Sequence, residues 1–197
     1  MKSKIKHLLR FWYVYLFIIA SSVVATIYYC NFINRPKNEE TINLFIASYT
    51  SKSEPIYDFL KEKSPGFLRE INITLTNPKS ADFGYFIVNK GLNKADIFIL
   101  PESYLFDDLL NNQFALLNEE TTSSYFTYTP DSSNHGVLLH DVGGEDNNLL
   151  QFRSEQYEDE KFYIFYRVNS LHIGALNPDS KADTALLFTK YLLNSYE

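Results

Sequence analysis

Residues 11–30 read FWYVYLFIIASSVVATIYYC, an uncharged stretch of 20 residues. As a helix rising about 1.5 Å per residue, such a stretch spans the roughly 30 Å hydrocarbon core of a bilayer. It is apolar on every side, which a helix packed into a soluble domain is not. Trp12, Tyr13 and Tyr15 stand near one end and Tyr28 and Tyr29 near the other, the placement of aromatic belts at the headgroup level. Lys2, Lys4, Lys6 and Arg10 precede the stretch, whereas Arg35 and Lys37 beyond it are offset by Glu39 and Glu40. That bias keeps the N-terminus in the cytoplasm and sends the rest of the chain outside. An uncleaved signal anchor is the favoured reading, because a cleaved signal has an apolar core of only about 7–15 residues. Cleavage after Ala25 stays open, since Val23 and Ala25 are small where a signal peptidase reads them. A lipid on Cys30 fits less well, because Ile27, Tyr28 and Tyr29 are bulky where such signals carry small side chains.

The expected organisation is therefore a basic cytoplasmic N-terminus over residues 1–10, a transmembrane signal anchor over 11–33, a tether over 34–41 and an extracellular α/β domain over 42–197. The whole chain carries 18 basic and 24 acidic residues, a formal charge of −6. Setting aside the six basic residues and two acids before residue 41 leaves 12 basic against 22 acidic, a net charge of −10 on the exported part. An acidic domain is repelled by phosphate backbones, so no nucleic-acid partner is expected. The one cysteine, Cys30, lies in the apolar stretch. The exported part therefore has no disulfide and no cysteine zinc site, and must hold itself together by its core.

Within that part, residues 43–47 (NLFIA) suit a buried strand, and Ser53 opens a helix with Ile56, Phe59 and Leu60 on one face. Ser64-Pro65-Gly66 stops this helix. Ile71, Ile73 and Leu75 alternate with Asn72 and Thr74, the period of a strand with one wet face. After the Asn77-Pro78 turn, a second helix from Ser80 to Gly91 carries Phe83, Phe86 and Ile87 inward. Residues 95–100 (ADIFIL) form a continuous apolar run, as a parallel strand covered on both faces requires. Pro101 suits the first position of a third helix, with Leu105, Phe106, Leu109 and Leu110 as its stripe. This alternation predicts a doubly wound parallel sheet. Residues 121–134 read as an exposed crossing segment, residues 136–142 and 162–166 as two more strands, and residues 155–161 as a solvated charged loop. Ser180 with Asp183 marks a capping box, and Ala185, Phe188 and Leu192 share one face of a closing helix.

The pieces INLFIASYT, the helix ending in SPGF, INITLT, KADIFILPES and FALLNEE together resemble the extracellular solute-binding proteins of ABC importers. The later pieces HGVLLHDV and FYIFYRVNS, with the closing helix, resemble the elements that such proteins use on returning to their first lobe. The resemblance covers most of residues 42–195 and implies a single-lobe, periplasmic-binding-protein-like doubly wound sheet. It further implies capture of a small polar solute, a sugar or oligosaccharide, and delivery to an ABC permease or other membrane protein. The family closes two lobes around its ligand, and the length here matches one. A module that has turned from capture to docking on a membrane partner is therefore the alternative.

In open α/β sheets ligands sit beyond the carboxyl ends of the strands. Two loops qualify there: Ser48, Tyr49 and Thr50 after the first strand, and Glu102, Ser103 and Tyr104 after the third. Tyr49 and Tyr104 offer stacking faces, and Glu102 offers an acceptor for hydroxyls. Asn169, with Ser170, ends a later strand and joins the candidates. The competing reading is that Glu102 merely complements its helix N-terminus and the tyrosines are ordinary loop residues. His7, His135, His140 and His172 show no metal-binding spacing, and there is no Gly-x-Ser-x-Gly elbow or glycine-rich phosphate loop. No catalytic residue, metal or cofactor is expected. Asp141, Glu145 and Asp146 around Gly143-Gly144 miss the calcium-loop spacing, and Asn72-Ile73-Thr74 is a formal glycosylation sequon.

Overall fold

The computed structural model describes residues 11–49, 53–62, 64–104, 112–126, 133–140 and 160–194. The apolar stretch is one helix, α1 (Trp12–Ile33), of 22 residues with none buried. At about 1.5 Å per residue it is roughly 33 Å long. Among the described residues it is the one helix long and apolar enough to cross a membrane. Two of its hydroxyls are satisfied within the helix: Ser22 Oγ donates to the Ile18 carbonyl and Thr26 Oγ1 to the Ser22 carbonyl, each at 2.8 Å. A span in lipid needs that, because hydrocarbon offers no acceptor. α1 belongs to a unit ending at Pro36, and the second unit runs from Lys37 to Glu197.

The second unit is built on β1 (Thr41–Ala47), β2 (Glu70–Thr76), β3 (Ile97–Pro101), β4 (Gly136–His140) and β5 (Phe162–Tyr166). Its helices are α2 (Ser53–Glu62), α3 (Phe83–Phe86, widening into a π turn over Ile87–Leu92), α4 (Glu119–Thr122) and α5 (Thr184–Asn194). The strands form one sheet in the order β2-β1-β3-β5-β4. β1 is parallel to β2 from Thr41↔Glu70 to Ala47↔Thr76, and parallel to β3. β5 runs antiparallel to both β3 and β4. The sheet is therefore mixed, not the parallel sheet expected. An apolar run buried on both faces has the same composition in either direction, so composition did not reveal the reversal.

Side chains alternate between two cores. Leu44, Ile46, Ile97, Ile99, Ile164 and Tyr166 pack with Ile56, Phe59 and Leu60 of α2 and with Ala185, Phe188 and Leu192 of α5. Phe45, Ala47, Phe98, Leu100 and Phe165 pack with Phe83, Ile87 and Phe114. Both faces are thus covered, and the faces read from the sequence for α2 and α5 are the buried ones, while in α3 Phe83 and Ile87 are buried and Phe86 only partly so. In the second core the Phe114 ring stacks on Phe165 at 4.9 Å and meets Phe98 edge-on at 5.0 Å. A Cβ on Gly91 would lie 2.8 Å from Phe98 Cε1 and 3.1 Å from Phe45 Cδ2. Only glycine lets the π turn approach the sheet so closely.

Several local expectations are corrected. The second helix starts at Phe83, not Ser80, and leaves α geometry at Ile87. Pro101 ends β3 opposite Phe162, and the turn after it is a 3-10 helix over Glu102–Tyr104. The remainder of the expected third helix, with Leu105, Phe106, Leu109 and Leu110, lies outside the described residues. Some of the supposed crossing segment is packed, since Thr122 and Phe126 are buried. Ser180 does not cap α5: its Oγ lies 2.9 Å from the Leu171 carbonyl and 2.8 Å from that of Ala182. The helix starts at Thr184, and the Asp183 carbonyl accepts from Leu187 N–H at 2.9 Å.

At the amino end of β3 stands a buried carboxylate. Asp96 is 2% exposed. Its Oδ2 accepts from the Asn43 backbone N–H at 3.0 Å and from Asn43 Nδ2 at 2.9 Å, and its Oδ1 accepts from Ser170 Oγ at 2.7 Å. His172 Nδ1 lies 3.1 Å from Oδ1, close enough for an ion pair but off the line of a good hydrogen bond. Burial opposes the charged form, but His172, Ser170 and Asn43 outweigh it and hold Asp96 below the usual carboxylate range. The group fastens β1, β3 and the segment after β5 at one end of the sheet.

Candidate functional site

At the other end of the sheet, four chain segments converge. β1 leads into Ser48 and Tyr49, β2 into the turn carrying Lys79, and β3 into Ser103 and Tyr104. Because β5 runs the opposite way, its amino end, preceded by Glu160 and Lys161, enters here too. The Glu102 N–H donates to the Lys161 carbonyl at 2.9 Å, holding the 3-10 turn beside the start of β5. Tyr49, Lys79, Ser103, Tyr104 and Glu160 line an open depression of about 500 Å³.

The Glu160 carboxylate is the hub. The Tyr49 hydroxyl donates to its Oε2 at 2.5 Å. The Ser103 N–H donates to Oε1 at 3.2 Å, and the Ser103 hydroxyl donates to the same oxygen. Lys79 Nζ lies 5.8 Å from the centre of the Tyr49 ring, within cation–π reach. Tyr49 meets Phe162 edge-on at 6.5 Å, and Tyr104 meets Phe83 edge-on at 5.2 Å, so both tyrosines stand on core aromatics. Burial first, and then the Glu160 carboxylate, raise the Tyr49 phenol above its ordinary value. Its proton therefore stays in place at neutral pH. Chemically the arrangement offers aromatic faces, hydroxyl and amide donors, one carboxylate and one ammonium.

Three of the residues expected from the sequence meet here: Tyr49, Ser103 and Tyr104. Ser48 is fully buried, and its N–H donates to the Thr76 carbonyl at 2.9 Å, continuing the β1–β2 ladder. Glu102 is exposed and does not line the depression. Thr50 lies outside the described residues. Asn169 is exposed beyond the carboxyl end of β5, which is the opposite end of the sheet, beside the Asp96 group. Sequence reasoning misses Glu160, which reads as one more acid of a solvated loop, and does not single out Lys79. Position carries the signal for both, since each flanks a strand at the sheet end where ligands bind. For Glu160 that signal is legible only once β5 is known to be reversed. The residues around Gly143-Gly144 lie outside the described residues. Among the described residues no group of three or more His, Cys, Asp and Glu is gathered in metal-binding range.

Comparison of the chain with models of known protein families, with curated proteins and with solved structures finds no match. Fold and site together define a mixed α/β unit with a polar, aromatic-walled depression at its strand ends. The same chain carries an apolar helix long enough to cross a membrane.

Proposed function

We propose that this is a membrane-anchored, solute-binding-like protein with one α/β lobe outside the cell. Its depression takes a small polar solute, a sugar or oligosaccharide being the first class to test, for an ABC permease. One observation carries the reading: Tyr49, Ser103, Tyr104, Lys79 and Glu160, from four separate segments, meet at the carboxyl ends of the parallel strands. The test is thermal melting of the full chain in detergent micelles against saccharides, amino acids and peptides. A ligand at 100 times its Kd adds about 2.7 kcal/mol, a shift of several degrees. A shift with one chemical class that Tyr104→Ala removes is the expected result. A flat screen on a cooperatively melting protein overturns it.

A second reading, docking on a membrane partner, draws on the β2 edge of the sheet. Exposed Tyr57 and half-buried Ile71 and Ile73 line a groove there with Glu54, Asp58 and Asn72. Unpaired strand edges are ready acceptors of another chain. Co-purification of a membrane protein that Tyr57→Ala abolishes would favour this reading.

A further inference from the structure

The donors in the depression point to a sharper statement, which rests on the solute-binding reading above. Three of them, the Tyr49 hydroxyl, the Ser103 hydroxyl and the Ser103 backbone N–H, converge on the two oxygens of one carboxylate. Lys79 stands over the adjoining Tyr49 ring. Donors converging on a two-oxygen acceptor beside an ammonium are the composition of an oxyanion receptor, in which hydrogen bonds gain strength from the acceptor's charge. Glu160 is attached to neither of the loops that supply the donors. It reaches in from the start of β5 on a flexible side chain, while the backbone beside it is pinned by the bond from Glu102 N–H to the Lys161 carbonyl. Rotation of that side chain alone would take the carboxylate out and leave the donors' own backbone in place.

We propose that Glu160 is a built-in occupant of an oxyanion site, and that the solute carries a carboxylate or phosphate group that takes its place. The overall charge of −10 on residues 41–197 repels anions at long range. Recognition thus falls to these short-range donors and to Lys79.

The experiment is calorimetric titration and thermal melting of the full chain in detergent micelles, wild type against Glu160→Ala and Glu160→Gln. The probes are acetate, inorganic phosphate and maltose, at matched ionic strength. Removal of the occupant is expected to tighten binding of acetate or phosphate at least tenfold. Adding Ser103→Ala to Glu160→Ala should cancel the gain, and the preferred anion names the group on the solute. If Glu160→Ala does not melt cooperatively, Glu160→Gln, which keeps the shape and removes the charge, should show a smaller gain in the same direction. Folded Glu160 variants that bind neither anion better than wild type overturn the proposal. Should maltose then bind every form alike, the solute-binding reading survives without it. Silence from all three probes on all forms counts against both.

Discussion

Asp96 gathers Asn43, Ser170 and His172 around one buried carboxylate, and its substitution has a calculable signature. Asp96→Asn leaves the Asn43 and Ser170 donors with one poorer acceptor in a buried place and removes the charge beside His172. The expected cost at neutral pH is about 2–4 kcal/mol. Because the native environment holds Asp96 below the ordinary carboxylate range, the unfolded chain takes up its proton first as pH falls through about 4. Asp96 therefore stabilises the fold above that range, and its contribution disappears as pH drops toward the depressed native value. Denaturant midpoints for wild type and Asp96→Asn should converge below about pH 4, and a gap independent of pH would contradict this. The Lys-Ala-Asp-Ile-Phe pattern draws attention to residue 96, but its partners Ser170 and His172 lie 74 and 76 positions away. Nothing local to either segment announces the pairing. Glu160 poses the same difficulty. A glutamate in a charged run is ordinarily solvated, and only the packing of β5 against β3 turns this one inward.

The elements most legible in the sequence are those with a period. Ile56, Phe59 and Leu60 mark α2 by helical spacing, and Ile71, Ile73 and Leu75 mark β2 by alternation. Strand direction and helix type leave no such trace, so the reversal of β5 and the π turn after α3 come only with the structure. The π turn gives a sharp test. Alanine at residue 91 gains up to about 1 kcal/mol of helix propensity but drives a methyl into Phe98 and Phe45. Overpacking of this kind costs about 1–3 kcal/mol, so Gly91→Ala should lower Tm, and an unchanged or higher Tm would show that the rings yield freely. On the opposite face, Tyr166 OH donates to Thr189 Oγ1 at 2.7 Å, both residues fully buried, joining α5 to β5. Thr189 keeps its own bond to the Ala185 carbonyl, so Tyr166→Phe should cost only about 0.5–1.5 kcal/mol by chemical denaturation.

For the molecule as a whole, the apolar helix predicts retention in membranes. The full chain should stay with the membrane fraction through high-salt and alkaline washes and come free only in detergent. Recovery of a shortened chain in the soluble fraction, beginning at Thr26, would show cleavage instead. The entry of the chain into the folded unit has a mechanical side. Just after Lys37 the Glu40 carbonyl accepts from Arg69 N–H at 2.8 Å, and the Glu39 carbonyl accepts from Thr184 Oγ1 at 3.1 Å. The next residue begins β1, which is paired with β2 along its full length and with β3 on its other side. Tension applied to Thr41 along the strand axis loads β1, an interior strand, in shear across two ladders at once. Bonds loaded in shear give way together, whereas those of a peeled edge strand break singly and in turn. A domain tethered through β1 in this way resists drag and tension better than one hung from β2 or β4.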